Sequence, residues 1–390
     1  MTLRNNNAAG PLAGIRVLEI GSIGPGPYCS MLLSDLGANV LRFDRIETSP
    51  AHADRRYNFV NRGRRSVAID LKKPGASELI LKLCTDSDML IEGMRPGVME
   101  RLGLGPDVVL DRSPHIVYGR MTGWGQDGPR AKLPGHDINY IATTGVLDGI
   151  GDVGGRPVPP LNLIGDYGGA LFLAFGLVSA VYEASKSGRG QVVDAAMVDA
   201  TANMMAKMYG MQADGQWSPE RATNVVDGGA PFYSCYKTAD NKYVAVGSIE
   251  PKFFSELVRL LELPQSFIGE QKDKAKWPAM HEAIAEKIQA KTRDEWSQIL
   301  GNNETCVAPV LNMQEALEDS HNKAREMFVD VEGVRQPAPA PRFSRTPGAV
   351  QGPPSKPGSD TISALNDWGC KSELVSQLLD EGVLSDTSQQ

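Results

Sequence analysis

The chain has 390 residues, 41% hydrophobic and 22% charged, with a net charge of −7 and an isoelectric point near 5.4. That length fits roughly two to three domains of ordinary globular composition, and the acidic balance argues against a protein held to nucleic acid by bulk electrostatics. Five cysteines, Cys29, Cys84, Cys235, Cys306 and Cys370, are scattered and odd in number; they read as reduced thiols of a cytoplasmic protein. Residues 1–7 offer no apolar core for a secretory signal and the last residues no peroxisomal tripeptide, so neither address is expected.

In chain order, residues 15–20 (IRVLEI) form a short apolar run that reads as a strand, and 28–36 a helix closed by Gly37. Further strands are expected at 39–43, 66–71, 88–91 and 116–121, with helices at 75–85 and 96–102 between them. Strand–helix alternation at this spacing predicts parallel βαβ units and an α/β sheet. The uncharged stretch 167–182 is shorter than the ~20 residues of a membrane span and rich in glycine; a buried core helix is expected, and no membrane partner. A methionine-rich helix is expected over 197–212, carrying Met197, Met204, Met205, Met208 and Met211. It serves either as core packing or as an adaptable apolar surface. A strand at 243–247 and helices at 252–261, 277–290 and 292–300 suggest a smaller domain. Residues 336–356 are rich in proline and glycine and predict an extended surface segment.

Several patterns could carry chemistry. Gly21, Gly24 and Gly26 after the first strand mimic a dinucleotide fingerprint, with an acid at Asp44. The third glycine position is Cys29, and Pro25 and Pro27 remove amide donors that a pyrophosphate would use. Arg42, Arg45, Arg55, Arg56, Arg62, Arg64, Arg65, Lys72, Lys73, Arg95 and Arg101 concentrate positive charge near strand ends, where such sheets bind ligands. They suit a polyphosphate such as coenzyme A, or form a solvated face. Pro134-Gly135 breaks the chain just before His136 and Asp137, and an apolar helical pattern follows, so both stand at a helix start where free amides can stabilise an oxyanion. Asp166, between Gly165 and Gly168, likewise opens a helix, as a cap or as an acid/base group. Glu250, between a strand and Pro251, could orient a histidine or cap a helix. No HExxH, paired His/Cys metal spacing, GxSxG or GxxxxGK[ST] motif is present.

Taken together, GPLAGIRVLEI, GPGPYCSMLLSDLGANVLRFDR, RPGVMERLGLGP, RMTGWGQDGPR, GHDINYIATTGVL, PPLNLIGDYGGA, GRGQVVDAAMVDA, DGGAPFY and YVAVGSIEPKFF resemble the family III CoA-transferases. They run from about residue 11 to 255, with PAPRFSRTP near 338–347. GHDINY and NLIGD resemble the racemase branch of that family. The resemblance implies epimerisation of 2-methylacyl-CoA thioesters by α-proton transfer, an isomerase of lipid metabolism requiring no cofactor beyond the coenzyme A of its substrate. His136 and Asp166 would be the two bases, Glu250 the acid bonded to the histidine, and the Asp137 N–H the donor to the thioester oxygen. Arg45, Lys72, Arg95 and Arg101 would line the coenzyme A site. In the transferase branch a nucleophilic aspartate stands at or near the Asp166 position, which is the alternative. The resemblance also implies a Rossmann-like large domain with a parallel sheet (1–195 and 330–390), a linker helix region (196–225) and a smaller α+β domain (226–329), in an interlocked homodimer with active sites between chains.

Overall fold

The computed structural model describes residues 10–46 and 57–388; Arg55 and Arg56 lie outside them. The chain divides into two compact units, 1–144 with 161–204 and 324–390, and 145–160 with 205–323.

The first unit is built on a sheet whose strands are short apolar runs. They are β1 (Arg16–Ile20), β2 (Asn39–Arg45), β3 (Arg65–Ile69), β4 (Met89–Glu92), β5 (Val117–Thr122) and β6 (Val192–Ala196). Their spatial order is β3-β2-β1-β4-β5-β6, all parallel. The pair Leu384–Ser385, near the end of the chain, adds an antiparallel edge to β3. Because side chains alternate along a strand, Val17, Val40 and Val117 face one core while Leu18, Leu41 and Tyr118 face another. Helices cover both faces, which is why these strands read as continuous hydrophobic runs. Helix α1 (Pro25–Asp35) and helix α2 (Ala76–Cys84) pack on opposite sides. Gly37, at φ 101°, ends α1 in the left-handed conformation that favours glycine.

Two further helices frame the site. Helix α3 (Asp137–Ala142) starts where Pro134-Gly135 breaks the chain. Helix α4 (Gly168–Ser187) is preceded by a π-helical turn, Leu163–Tyr167. The expected buried core helix is only half realised in α4. Ala170, Leu173, Leu177 and Ala180 pack into the sheet core, whereas Leu171, Phe172, Phe175, Val178 and Tyr182 are exposed, Phe175 at 74%. By length and composition the segment would also suffice to cross a membrane. The expected helix over 197–212 is two, Met197–Met204 and Ala206–Ala213, interrupted at Met205.

In the second unit, strands β7 (Tyr233–Lys237), β8 (Tyr243–Gly247) and β9 (Val307–Pro309) form an antiparallel sheet in that order. Helices Pro251–Leu260, Trp277–Gln289 and Arg293–Ile299 close a separate core around Phe254, Leu257, Met280, Ile284 and Trp296.

Candidate active site in the first unit

The carboxyl ends of β1, β4 and β5 lead into loops that shape a cleft of about 500 Å³. Its lining includes Ile23, Gly24, Met94, Arg95, Met121, Trp124, His136, Tyr140, Asn162, Asp166 and Met197. The position follows the general rule that open parallel sheets bind ligands beyond their carboxyl edge.

His136 is the N-cap of α3, and its backbone N–H donates to Asn139 Oδ1 at 3.0 Å. Its side chain is exposed to the cleft. Tyr140, one turn on, is buried, with its ring edge against Trp124 at a centroid distance of 4.9 Å. A Cβ on Gly123 would stand 2.0 Å from the Tyr140 ring, so only glycine admits the tyrosine there.

Asp166 sits inside the π-helical turn rather than at a cap position. Wide turns of this kind are frequent at functional sites. Its Oδ2 accepts a hydrogen bond from Asn162 Nδ2 at 3.1 Å, and its backbone N–H donates to Asp137 Oδ2 at 2.8 Å. Burial pushes the Asp166 carboxyl above its ordinary range, and the Asp137 charge adds to the rise, against the Asn162 hydrogen bond and the His136 charge. A carboxylate so raised is a better base than one in water.

Of the residues expected to bind coenzyme A, Arg95 lines the cleft. Arg45 ends β2, Lys72 follows β3 and Arg101 closes the short helix Val98–Arg101; all are exposed, and none of the three lines the cleft. Other members of the basic concentration have a different use, which corrects the ligand reading for them. Arg42, Arg62 and Arg64 are buried and paired, with Asp44, Asp35 and Glu19 respectively. Arg65 pairs with Asp367, and Lys73 donates to the Glu381 carbonyl. The dinucleotide reading fails as well, because α1 begins at Pro25 directly after Gly24, leaving prolines where amide donors would be needed.

Glu250 belongs to the second unit, where it is the N-cap residue of helix Pro251–Leu260. Its side chain makes no capping hydrogen bond, so the capping use is not the one realised. Among the methionines, Met197 lines the cleft, but its companions there are Met94 and Met121, which the methionine-rich helix did not point to. Asn162 was also missed as a functional partner. Its signal was the spacing of four residues to Asp166, which puts two side chains on one helical face.

The sequence pattern of CoA-transferase family III matches residues 12–361. The chain belongs to that family. Within it, the chain is 42% identical to the α-methylacyl-CoA racemase of Mus musculus, covering 96% of this chain and 97% of the relative. It is 39% identical to the Homo sapiens α-methylacyl-CoA racemase, covering 96% and 97%. Among solved structures of the same family fold, Rv3272 from Mycobacterium tuberculosis superposes with a TM-score of 0.77 at 26% identity, covering 91% of this chain and 99% of that one.

Proposed function

We propose that this family III chain is a racemase of 2-methylacyl-CoA thioesters, an isomerase that interconverts the (R) and (S) epimers. The observation that carries the reading is that His136 and Asp166 open on one cleft, with the Asp166 carboxyl raised above its ordinary range by burial. Near-full-length likeness to two racemases supports it.

The chemistry demands two bases and an oxyanion site. A thioester α-proton is less acidic than either base by roughly ten or more pKa units, about 1.4 kcal/mol each. The enolate oxygen must therefore be stabilised, and we assign that role to the backbone N–H of Asp137 in the first turn of α3. One base removes the proton from one face of the α-carbon while the other, protonated, returns one to the opposite face. In the reverse direction the roles exchange. Arg45, Lys72, Arg95 and Arg101 are proposed to hold the phosphates of coenzyme A, for which forked or point donors near strand ends are suited. The side chains of Met94, Met121 and Met197 offer an adaptable wall to the acyl group.

The homodimer is proposed on the exposed face of α4. Leu171, Phe172, Phe175, Val178 and Tyr182 form an apolar stripe of the kind that marks an interface, and a second copy would cover it. Five free thiols, three of them buried, are in keeping with a cytoplasmic setting.

The test is NMR of one epimer of a 2-methylacyl-CoA in deuterium oxide with no acceptor acid. Deuterium at the α-carbon with both epimers appearing is the expected result. No exchange, followed by coenzyme A transfer once a free carboxylate is added, would make Asp166 a nucleophile and the chain a transferase.

A further inference from the structure

The side chain of Asp137 has no task in the reaction just described, yet it is among the most constrained in the first unit. It is 6% exposed, and Oδ2 accepts the backbone N–H of Asp166 at 2.8 Å. Oδ1 is buried with no hydrogen-bond partner among the described residues. A Cβ on Gly165 would stand 2.6 Å from Oδ2, so the approach of the two segments is possible only because residue 165 is glycine. A buried carboxylate with one oxygen unpartnered is unfavourable for stability. The N–H it satisfies belongs to the first turn of a helical segment, where amides lack partners within the helix. Ordinarily a local Ser, Asn or Asp fills that need; here the acceptor comes from another element, 29 residues away in sequence.

We infer that the Asp137 carboxylate is a positioning residue for Asp166: it clamps the backbone of the π-helical turn so that the base is held against the start of α3. The inference rests on the racemase reading for its assay. Asp137 then joins two functions through one residue. Its backbone belongs to the helix start that carries His136, and its side chain fixes the segment that carries Asp166. The relative placement of the two bases is set by one charge-assisted hydrogen bond instead of by two independent loops. The groups facing Asp166 are His136, Asp137 and Tyr140 from α3, Asn162 from its own turn and Gly24 from the start of α1. Of these, Asp137 adds like charge, so its removal is read in the pH dependence as well as in the rate.

The experiment compares Asp137→Asn and Asp137→Ala with the parent enzyme in the α-proton exchange assay, with thermal melts as a check on folding. Asparagine keeps an acceptor oxygen for the Asp166 N–H and loses the charge; alanine loses both. The expected result for Asp137→Ala is a fall in kcat of about tenfold or more with KM changed by less than about threefold, the pattern of lost positioning in the reacting complex. Asp137→Asn is expected to lose less kcat than Asp137→Ala and to move the acid limb belonging to Asp166 to lower pH. Should the alanine variant not fold, the asparagine profile decides alone. An unchanged limb in Asp137→Asn, or parent-like kcat in a folded Asp137→Ala, would overturn the inference. If the parent transfers coenzyme A and exchanges no α-proton, the racemase reading falls separately. The same variants are then compared by transfer rate, since a nucleophilic Asp166 depends on the same clamp.

Discussion

Two groups of basic side chains come from the N-terminal part of the chain and are alike in sequence but opposite in use. Arg42, Arg62 and Arg64 are buried, each against a carboxylate. They also donate to main-chain oxygens, Arg42 to Ser355 at 3.1 Å and Arg62 to Pro337 at 2.6 Å, with Gln336 Oε1 at 3.0 Å completing the Arg62 fork. Arg64 reaches the Val60 carbonyl and Asn61. The proline-rich segment that the sequence marks as extended is thus tied to the sheet by guanidinium groups. Arg45, Lys72, Arg95 and Arg101 are exposed, and among the described residues no ion pair engages them. Neutralised charge holds the fold; the exposed charges are the ones we propose for an anionic ligand. The two groups also differ in their relation to the cleft, which Arg95 lines and the buried arginines do not.

The contrast is broken most sharply at the cleft. His136→Ala and Asp166→Asn are each expected to lower α-proton exchange by about 10²–10⁴-fold, the usual contribution of a positioned acid or base, with melting temperatures close to the parent's. Loss of activity accompanied by unfolding would place these residues with the structural group. The next largest effect belongs to a buried pair. Arg62→Ala strands Asp35 and releases Gln336 and Pro337, and removing one partner of a buried pair costs about 3–5 kcal/mol. A chemical denaturation midpoint measures it, and amide exchange should rise first in the segment following Pro337. A variant as stable as the parent would show that the pair only balances its own desolvation.

How much of this was legible in the sequence depends on the range of the interaction. Parallel strands covered on both faces give unbroken apolar runs, so β1 to β5 were readable to within a few residues. The helix start at His136 was readable because Pro134-Gly135 is a local break. Pairing was not: Asp35, Glu19 and Gln336 are distant from their arginines in sequence, and nothing in the run of basic residues separates a buried fork from a free one. The outer face of α4 was misread because an apolar residue looks the same whether a core or another surface covers it. The π-helical turn and the clamp from Asp137 left no periodic trace, since each depends on one contact between segments.

A smaller and more diagnostic effect is the pH dependence of the cleft. In the direction in which Asp166 takes the proton, it must be ionised. Burial and the Asp137 charge lift its pKa, so activity should rise with pH along a limb lying above the ordinary carboxylate range. Asn162→Ala removes the hydrogen bond that favours the charged form, so that limb should move further up. A limb at the ordinary position, unmoved by Asn162→Ala, would mean that solvent reaches Asp166 in the working enzyme.

The smallest effect sharpens the comparison from the other side. Arg95 lines the cleft, whereas Lys72 stands after β3 and, among the described residues, has no ion-pair partner to strand. Replacing either by alanine should leave stability within about 0.5 kcal/mol, as for surface positions away from special features. KM should rise by about three- to tenfold, the range of one exposed charge on an anion, and the rise should shrink as salt is added. kcat should hardly move, because an interaction made equally in ground and transition states changes binding alone. The salt response separates the two groups of cations: an arginine forked to a buried carboxylate is shielded from added ions, while an exposed cation is not.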